Sequence, residues 1–106
     1  METENRFSNP STVLTYLSEQ KKSVLIVDNI LIFQLLGDKN LELHDVYSID
    51  NLPDDFKKKS TYLFLTNFAK SKSFQYRYPN IFKKLQMMGK NEIIMFGNDD
   101  SLYKIE

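Results

Sequence analysis

The sequence predicts a single small α/β domain in which helices cover both faces of a mostly parallel sheet. Signals for helices and strands alternate along the chain, as in proteins built from strand–helix–strand units. The predicted strands are continuous apolar runs, which is typical of strands that are buried on both faces. The chain has 106 residues, a length that fits one domain, and no repeat, linker or low-complexity tract divides residues 1–106.

The first predicted element is a helix from Pro10 to about Lys21. Ser8 or Asn9 supplies an N-cap, and proline is favoured at the first position of a helix. The apolar residues at helical spacing are Val13, Leu14 and Leu17.

A polar pair separates the second predicted element from the third. The run Val24–Val27 predicts a buried strand. Asp28 or Asn29 can cap the next helix, NILIFQLL, for which Gly37 is the natural end. This segment is nearly all apolar, so a continued strand is the alternative.

The rest of the chain predicts two further strand–helix units. A less regular strand spans Leu41–Ile49, a short helix begins at Pro53, and the apolar run TYLFLTNF over Thr61–Phe68 forms the third strand. A loop, AKSKSFQYRY, leads to a helix that begins at Pro79 and ends at Gly89. EIIMF forms the fourth strand, and SLYKIE adds a short edge strand or frays. We therefore expect a small three-layer sandwich of about four mostly parallel strands, of the Rossmann-like or flavodoxin-like kind.

Polar residues follow every predicted strand. They are Asp28, Asn29, Asp50, Asn51, Thr66, Asn67, Asn98, Asp99 and Asp100. The carboxyl ends of parallel strands share one edge of the sheet, where ligands bind and where carboxylates can hold Mg²⁺. Asp and Asn are also the favoured residues of helix caps and turns, which explains all four strand ends without chemistry. We predict no cofactor and no metal; the alternative is a metal site at Asp28, Asp99 and Asp100.

Two segments of the chain resemble parts of a signalling family. VLIVDN resembles the first strand of response-regulator receiver domains, and KKLQMMGKNEIIMFGND resembles their later helix–strand unit. This resemblance implies an acidic pair after the first strand and a phosphoacceptor aspartate at the end of the third. Here Asp28 is followed by Asn29, and the third strand ends in Thr66 and Asn67. Phosphotransfer is therefore not expected.

A second resemblance points to metal-dependent chemistry. VLIVDNILIFQLLGDKN is similar to the opening strand and helix of PIN-type nucleases, and FGNDDSLYKI resembles their closing strand and aspartate-rich loop. By position, the resemblance implies that Asp28 and Asp99 or Asp100 are metal ligands of a nuclease or phosphohydrolase. The acidic helix residues of that family are missing, because no Asp or Glu lies between Asp55 and Glu92. We assign the chain to neither family.

Charge is distributed unevenly along the chain. The segment Phe56–Asn91 holds nine basic residues and no acidic one, whereas the remainder holds five basic and fourteen acidic residues, giving formal charges of +9 and −9. The predicted partner-binding residues in this segment are Lys70, Lys72, Phe74, Tyr76, Arg77, Tyr78, Lys83 and Lys84. The alternative is that the lysines are solvated and the aromatic residues fill the core, which is the favoured interpretation for Phe64 and Phe82.

The pairing of cations with aromatic rings suits two kinds of partner. Cations steer association with an acidic protein surface and tyrosines anchor it, while single-stranded nucleic acid uses the cations for phosphates and the rings for bases. Nucleic-acid binding proteins are usually basic, and this chain is neutral, so we expect a protein partner first and nucleic acid second. The charge separation also permits head-to-tail self-association. The predicted function is a non-catalytic adaptor, accessory subunit or inhibitor.

The sequence contains few residues or motifs that are typical of catalytic sites. His44 lies within a predicted strand, and its neighbour Asp45 would point to the opposite face. Three glycines are too few for a glycine-rich phosphate loop. The absence of cysteine removes disulfides and thiol nucleophiles, and the apolar runs are far shorter than the roughly 20 residues of a membrane span. We expect a cytoplasmic protein with no membrane contact.

Overall fold

The computed structural model of the chain describes residues 8–19, 23–36, 41–51 and 60–105. The α-helices in these ranges are α1 (Ser8–Ser18), α2 (Ile30–Leu36), α3 (Lys72–Arg77) and α4 (Pro79–Met87). The strands are β1 (Ser23–Val27), β2 (Leu41–Asp45), β3 (Ser60–Leu65), β4 (Lys90–Met95) and β5 (Ser101–Ile105). Short 3₁₀-helices span Val46–Asn51 and Asn67–Lys70. Within these ranges no helix has the length and apolar character that a membrane crossing requires.

The strands form one mixed sheet in the order β2–β1–β3–β5–β4. β1 is parallel to both β2 and β3, whereas β5 is antiparallel to both β3 and β4. The sheet is therefore mixed rather than mostly parallel, and within the described ranges it has five strands, the fifth being the one predicted in SLYKIE. The strand predicted within SLYKIE is present as β5, but it is not an edge strand, because β5 lies between β3 and β4 and its Leu102 side chain is fully buried.

A tight turn between β4 and β5 causes the reversal of strand direction. The Phe96 N–H donates to the Asp100 carbonyl at 2.9 Å, and the Asp99 N–H donates to the Phe96 carbonyl at 3.0 Å. A connection this short can join only antiparallel strands, since parallel neighbours need a crossover of about a dozen residues or more. Asp99 has a φ of 73°, a left-handed conformation that aspartate tolerates better than most residues.

Hydrophobic residues on both sides of β1 and β3 form two core clusters. The first core cluster joins Leu25, Val27, Tyr62 and Phe64 of these strands to Val13 and Leu17 of α1, Phe33 of α2 and Leu102 of β5. The second core cluster joins Ile26, Leu63 and Leu65 to Val46, Ala69, Phe74 of α3 and Leu85 of α4. Successive residues of a strand point to opposite faces, so the continuous apolar runs supply both clusters. The core assignment of Phe64 is confirmed at 1% exposure.

Several predicted boundaries change. α1 begins at Ser8, so Asn9 lies within the helix instead of capping it. The second strand ends at Asp45, whose Oδ1 accepts a hydrogen bond at 2.9 Å from the Ser48 N–H and so starts the 3₁₀-helix there. The predicted loop before Pro79 is helical. The predicted helix at Pro53 and the predicted helix end at Gly37 lie outside the described residues.

The helical conformation of the predicted loop has a local cause. Ser71 adopts an extended conformation, and its Oγ accepts a hydrogen bond from the Phe74 N–H at 3.2 Å. This is the contact of an N-cap, which satisfies one of the free N–H groups at the start of a helix. Pro79 then occupies the first turn of α4, where a missing N–H has no cost.

Candidate functional site

Six polar residues meet where β1 and β3 end and β5 begins. We call Asn9, Asp28, Thr66, Asn67, Asn98 and Asp100 the polar edge cluster. Leu65 at the end of β3 pairs with Ser101 at the start of the antiparallel strand β5, so Asp100 lies at the same edge of the sheet as the carboxyl ends of the parallel strands β1 and β3. The sequence predicted that strand-end residues would meet, but it assigned this edge to parallel strands alone.

Asp28 joins β1 to the end of β3. Its Oδ1 accepts from the Thr66 N–H at 3.2 Å, and its Oδ2 accepts from the Thr66 hydroxyl at 2.5 Å. Burial raises the pKa of the Asp28 carboxyl above its ordinary value; the hydrogen bonds from Thr66 lower it in part, and the negative charge of Asp100 raises it further. The site therefore favours the protonated form of Asp28 more than water does.

Asp100 holds three segments of the chain together. The residue is buried, with 7% exposure. Its Oδ1 accepts from the Asn67 N–H at 2.9 Å, and its Oδ2 accepts from the Asn9 side-chain amide at 3.0 Å and from the Asn98 amide at 3.2 Å. Because neutral donors occupy both oxygens, Asp100 fixes the positions of α1 and the β4–β5 turn relative to β3.

The structure does not assemble a metal-binding group from these residues. Asp28 and Asp100 interact electrostatically, while Asp99 is exposed on the turn. Within the described ranges no three His, Cys, Asp or Glu side chains are placed so that they could hold a metal ion. The arrangement of the polar edge cluster is that of a hydrogen-bonded network that closes one end of the sheet.

The predicted partner-binding residues separate into exposed and buried groups. Lys72, Tyr76 and Arg77 of α3 and Lys83 and Lys84 of α4 are exposed, and we call these five the basic face. Tyr76 is 88% exposed. α3 and α4 contact one another, so these residues belong to adjoining helices.

Phe74, which the sequence assigned to the partner-binding residues, lies in the core and not on the basic face. It is 0% exposed, and its ring centroid lies between 5.2 and 6.5 Å from those of four aromatic neighbours, Tyr47, Phe68, Tyr78 and Phe82. Tyr78 is half-buried against the second core cluster. The physical reason is helical periodicity: residues four apart share a face, so Phe74 and Tyr78 point inward together while Tyr76 points outward.

Lys70 is also used by the fold. Its ammonium group donates at 2.5 Å both to the Asp99 carbonyl and to the Ser101 hydroxyl, and it lies 6.0 Å from the centroid of the Tyr103 ring. Lys70 is half-buried and attaches the 3₁₀-helix Asn67–Lys70 to the β4–β5 turn. It is therefore a scaffold residue and not part of the basic face.

His44 contacts a carboxylate of its own strand. Its Nε2 lies 2.7 Å from the Glu42 carboxylate. Residues two apart on a strand share a face, which explains the pair. The Asp45 carboxylate instead bonds to the Ser48 N–H, so His44 and Asp45 do not act together.

Comparison of the chain with protein-family models, with curated proteins and with solved structures gave no match. The basic face and the polar edge cluster differ in one respect that bears on function. The polar side chains of the polar edge cluster form hydrogen bonds within the cluster, whereas the basic face presents several cations to solvent.

Proposed function

We propose that the protein is a non-catalytic binding module that engages an acidic protein surface through the basic face, and that it acts as an adaptor, accessory subunit or inhibitor. The observation that carries this proposal is a set of unpaired cations on α3 and α4. Lys72, Arg77 and Lys83 form no ion pair with any residue of the described ranges. No acidic residue lies between Phe56 and Asn91 to neutralise them.

The basic face also offers an anchor. Interfaces draw much of their binding free energy from a few residues, among which Tyr and Arg are enriched. Tyr76 and Arg77 are adjacent in sequence, both are exposed, and burial of the Tyr76 ring would remove a large apolar surface from water. The surrounding lysines would accelerate the encounter with an acidic partner and make it dependent on salt.

The aromatic residues favour a protein partner over single-stranded nucleic acid. A nucleic-acid groove stacks successive bases on several exposed rings. Of the aromatic residues assigned to the partner-binding segment, Phe74 is buried and Tyr78 half-buried, which leaves Tyr76 as the exposed ring. Binding of nucleic acid is thus the second proposal, and metal-dependent hydrolysis is the third.

We also infer the wider setting of this module. The division of β1 and β3 side chains between two core clusters supports a three-layer arrangement with the sheet in the middle, of the Rossmann-like kind. A chain without cysteine suits the reducing cytoplasm, which is the location we propose. Attraction between the basic segment and the acidic remainder supports head-to-tail self-association as a further state.

The proposal is tested with the triple variant Lys72→Glu/Arg77→Glu/Lys83→Glu. Poly-glutamate serves as the acidic polypeptide probe and a single-stranded oligonucleotide of equal charge as the nucleic-acid probe, both followed by fluorescence anisotropy at two salt concentrations. We expect tighter binding to poly-glutamate than to the oligonucleotide, and a loss of at least about tenfold in the triple variant. Because the three side chains are exposed, the free energy of unfolding should change by less than about 0.5 kcal/mol per substitution.

A matched pair of single variants separates the surface from net charge. Lys83→Glu and Lys104→Glu alter the net charge equally, but the exposed Lys104 lies on β5 and not on the basic face. Only Lys83→Glu should weaken binding to poly-glutamate substantially. Equal losses in the two variants would contradict the proposed surface. Tighter binding of the oligonucleotide by the wild-type protein would favour nucleic acid instead.

A further inference from the structure

A second feature, separate from the basic face, is a cavity beside the second core cluster. Its volume is about 240 Å³, and its apolar wall consists of Leu65, Ala69, Phe82 and Leu85. Lys70, Gln86, Lys90 and Tyr103 complete the lining. We call it the Tyr103 cavity. It combines an apolar wall with cations, whereas the basic face is an open helical surface.

The two lysines of the Tyr103 cavity lie close to one aromatic ring. The Nζ atom of Lys90 is 5.5 Å from the ring centroid of Tyr103, and that of Lys70 is 6.0 Å from it. Both distances are within the range of cation–π attraction. Both positive charges therefore lie near the same ring, at the lining of a single cavity.

Neutral acceptors hold both ammonium groups in place. Lys90 donates to the Leu85 carbonyl at 2.6 Å, and Lys70 donates to the Asp99 carbonyl and the Ser101 hydroxyl. An ammonium group has three donors, so Lys70 retains one and Lys90 retains two. Neither lysine has an ion pair with a carboxylate of the described residues.

The environment of Lys90 makes an anion favourable there. Burial lowers the pKa of the Lys90 ammonium group below its ordinary value, because the charged form has lost hydration without gaining a counter-charge. A bound anion would supply that counter-charge and form charge-assisted hydrogen bonds with the remaining donors.

The shape and lining of the cavity restrict the kind of anion. A cavity of about 150 Å³ is large enough for benzene, and drug-sized ligands occupy about 300–1,000 Å³. A volume of about 240 Å³ falls between these values. The four apolar side chains favour a ligand with an apolar body, while a fully hydrated anion such as inorganic phosphate would leave them in contact with polar atoms.

We propose that the Tyr103 cavity binds a small aromatic or branched-chain monocarboxylic acid, whose carboxylate contacts Lys70 and Lys90 and whose apolar body packs against Leu65, Ala69, Phe82 and Leu85. This binding activity does not depend on the function proposed for the basic face. The two can be tested, and can fail, separately.

The test uses the full chain labelled with ¹⁵N and ¹³C, and three probes. Benzoate is the expected ligand, benzamide is its neutral analogue, and inorganic phosphate is an anion without an apolar body. We expect benzoate to cause saturable changes in the methyl resonances of Leu65 and Leu85. Benzamide should bind at least about tenfold more weakly, since it has no negative charge to pair with the two ammonium groups, and phosphate should leave the methyl resonances unchanged.

A pair of lysine variants locates the carboxylate. Lys90→Met retains the length and apolar part of the side chain but removes the charge, and it should weaken benzoate binding at least about tenfold. Lys104→Met removes an exposed charge from the residue next to Tyr103, which points to the opposite face of the sheet, and it should have no effect on binding.

Four results would overturn the proposal. They are the absence of saturable changes with benzoate, equal affinity for benzamide, equal affinity for phosphate, and an equal loss in Lys104→Met and Lys90→Met. If Lys90→Met does not fold because its bond to the Leu85 carbonyl is lost, the comparison of benzoate with benzamide on the wild-type protein decides the question by itself.

Discussion

The polar edge cluster and the basic face are two charged regions within the described part of the chain, and the fold uses their charged side chains differently. Neutral donors of the polar edge cluster occupy the carboxylates of Asp28 and Asp100. On the basic face, Lys72, Arg77 and Lys83 have no ion-pair partner among the described residues. Charges whose hydrogen bonds are made internally contribute to stability, whereas exposed unpaired charges contribute little and are available to a partner. Substitutions in the polar edge cluster should therefore change the free energy of unfolding, whereas substitutions on the basic face should change binding to a partner.

The largest expected effect separates two neighbouring aromatic residues of α3. Phe74→Ala should lower the free energy of unfolding by about 3–5 kcal/mol, because it removes a buried ring and leaves a cavity among four aromatic neighbours. Tyr76→Ala should change that free energy by less than about 0.5 kcal/mol, since its ring is 88% exposed, and should weaken binding to poly-glutamate instead. Urea unfolding and anisotropy measure the two quantities. If Tyr76→Ala lowered the free energy of unfolding as much as Phe74→Ala, the assignment of Phe74 to the core and of Tyr76 to the basic face would be wrong.

A smaller effect is expected when the polar edge cluster loses its central acceptor. Asp100→Ala leaves the Asn67 N–H and the amides of Asn9 and Asn98 without a common partner. Hydrogen bonds to a charged acceptor contribute up to about 3 kcal/mol, and chemical denaturation should show a loss of roughly 1–3 kcal/mol. Asp99→Asn is the matched control, because its side chain is exposed and asparagine also tolerates a positive φ. Losses of the same size in both variants would mean that the turn, and not the network, determines stability.

Local patterns in the sequence predict most of the secondary structure. β1 and β3 were predicted because their continuous apolar runs supply side chains to both core clusters. The position of β5 was missed because strand order depends on contacts distant in sequence. A signal was nevertheless present: FGNDD places four turn-forming residues between two apolar runs, the pattern of a hairpin. The sequence of α3 is mostly polar and therefore favours a loop, although Phe74 and Tyr78 have the spacing of one helical face.

The residue types of the candidate sites could be predicted from the sequence, but the contacts between those residues could not. The sequence identified the strand-end carboxylates and the basic block, since residue type alone defines them. It could not show that Asn9 contacts Asp100, a residue 91 positions away. Nor could it show that Lys70 is held by the β4–β5 turn while Lys72 is exposed. Two lysines two positions apart differ in role because the fold, and not the local sequence, decides which one finds an acceptor.

The smallest expected effect tests whether Asp28 belongs with the structural carboxylates. Asp28→Asn removes the charge, yet its Oδ1 can still accept from the Thr66 N–H and its Nδ2 can donate to the Thr66 hydroxyl, so the free energy of unfolding near pH 7 should change by less than about 1 kcal/mol.

The same substitution should change the pH dependence of the free energy of unfolding more clearly. The folded-state pKa of Asp28 is raised above 3.8, so between that value and the raised pKa the native state binds more protons than the unfolded state. The contribution of Asp28 to stability is therefore fully present below pH 3.8 and is lost as the pH rises through the raised pKa. Relative to the wild type, Asp28→Asn should be more stable near pH 7 than near pH 3.5, as measured by urea unfolding at about those two pH values. The opposite trend would show that the hydrogen bonds from Thr66 outweigh burial, and would place Asp28 among carboxylates stabilised in their charged form.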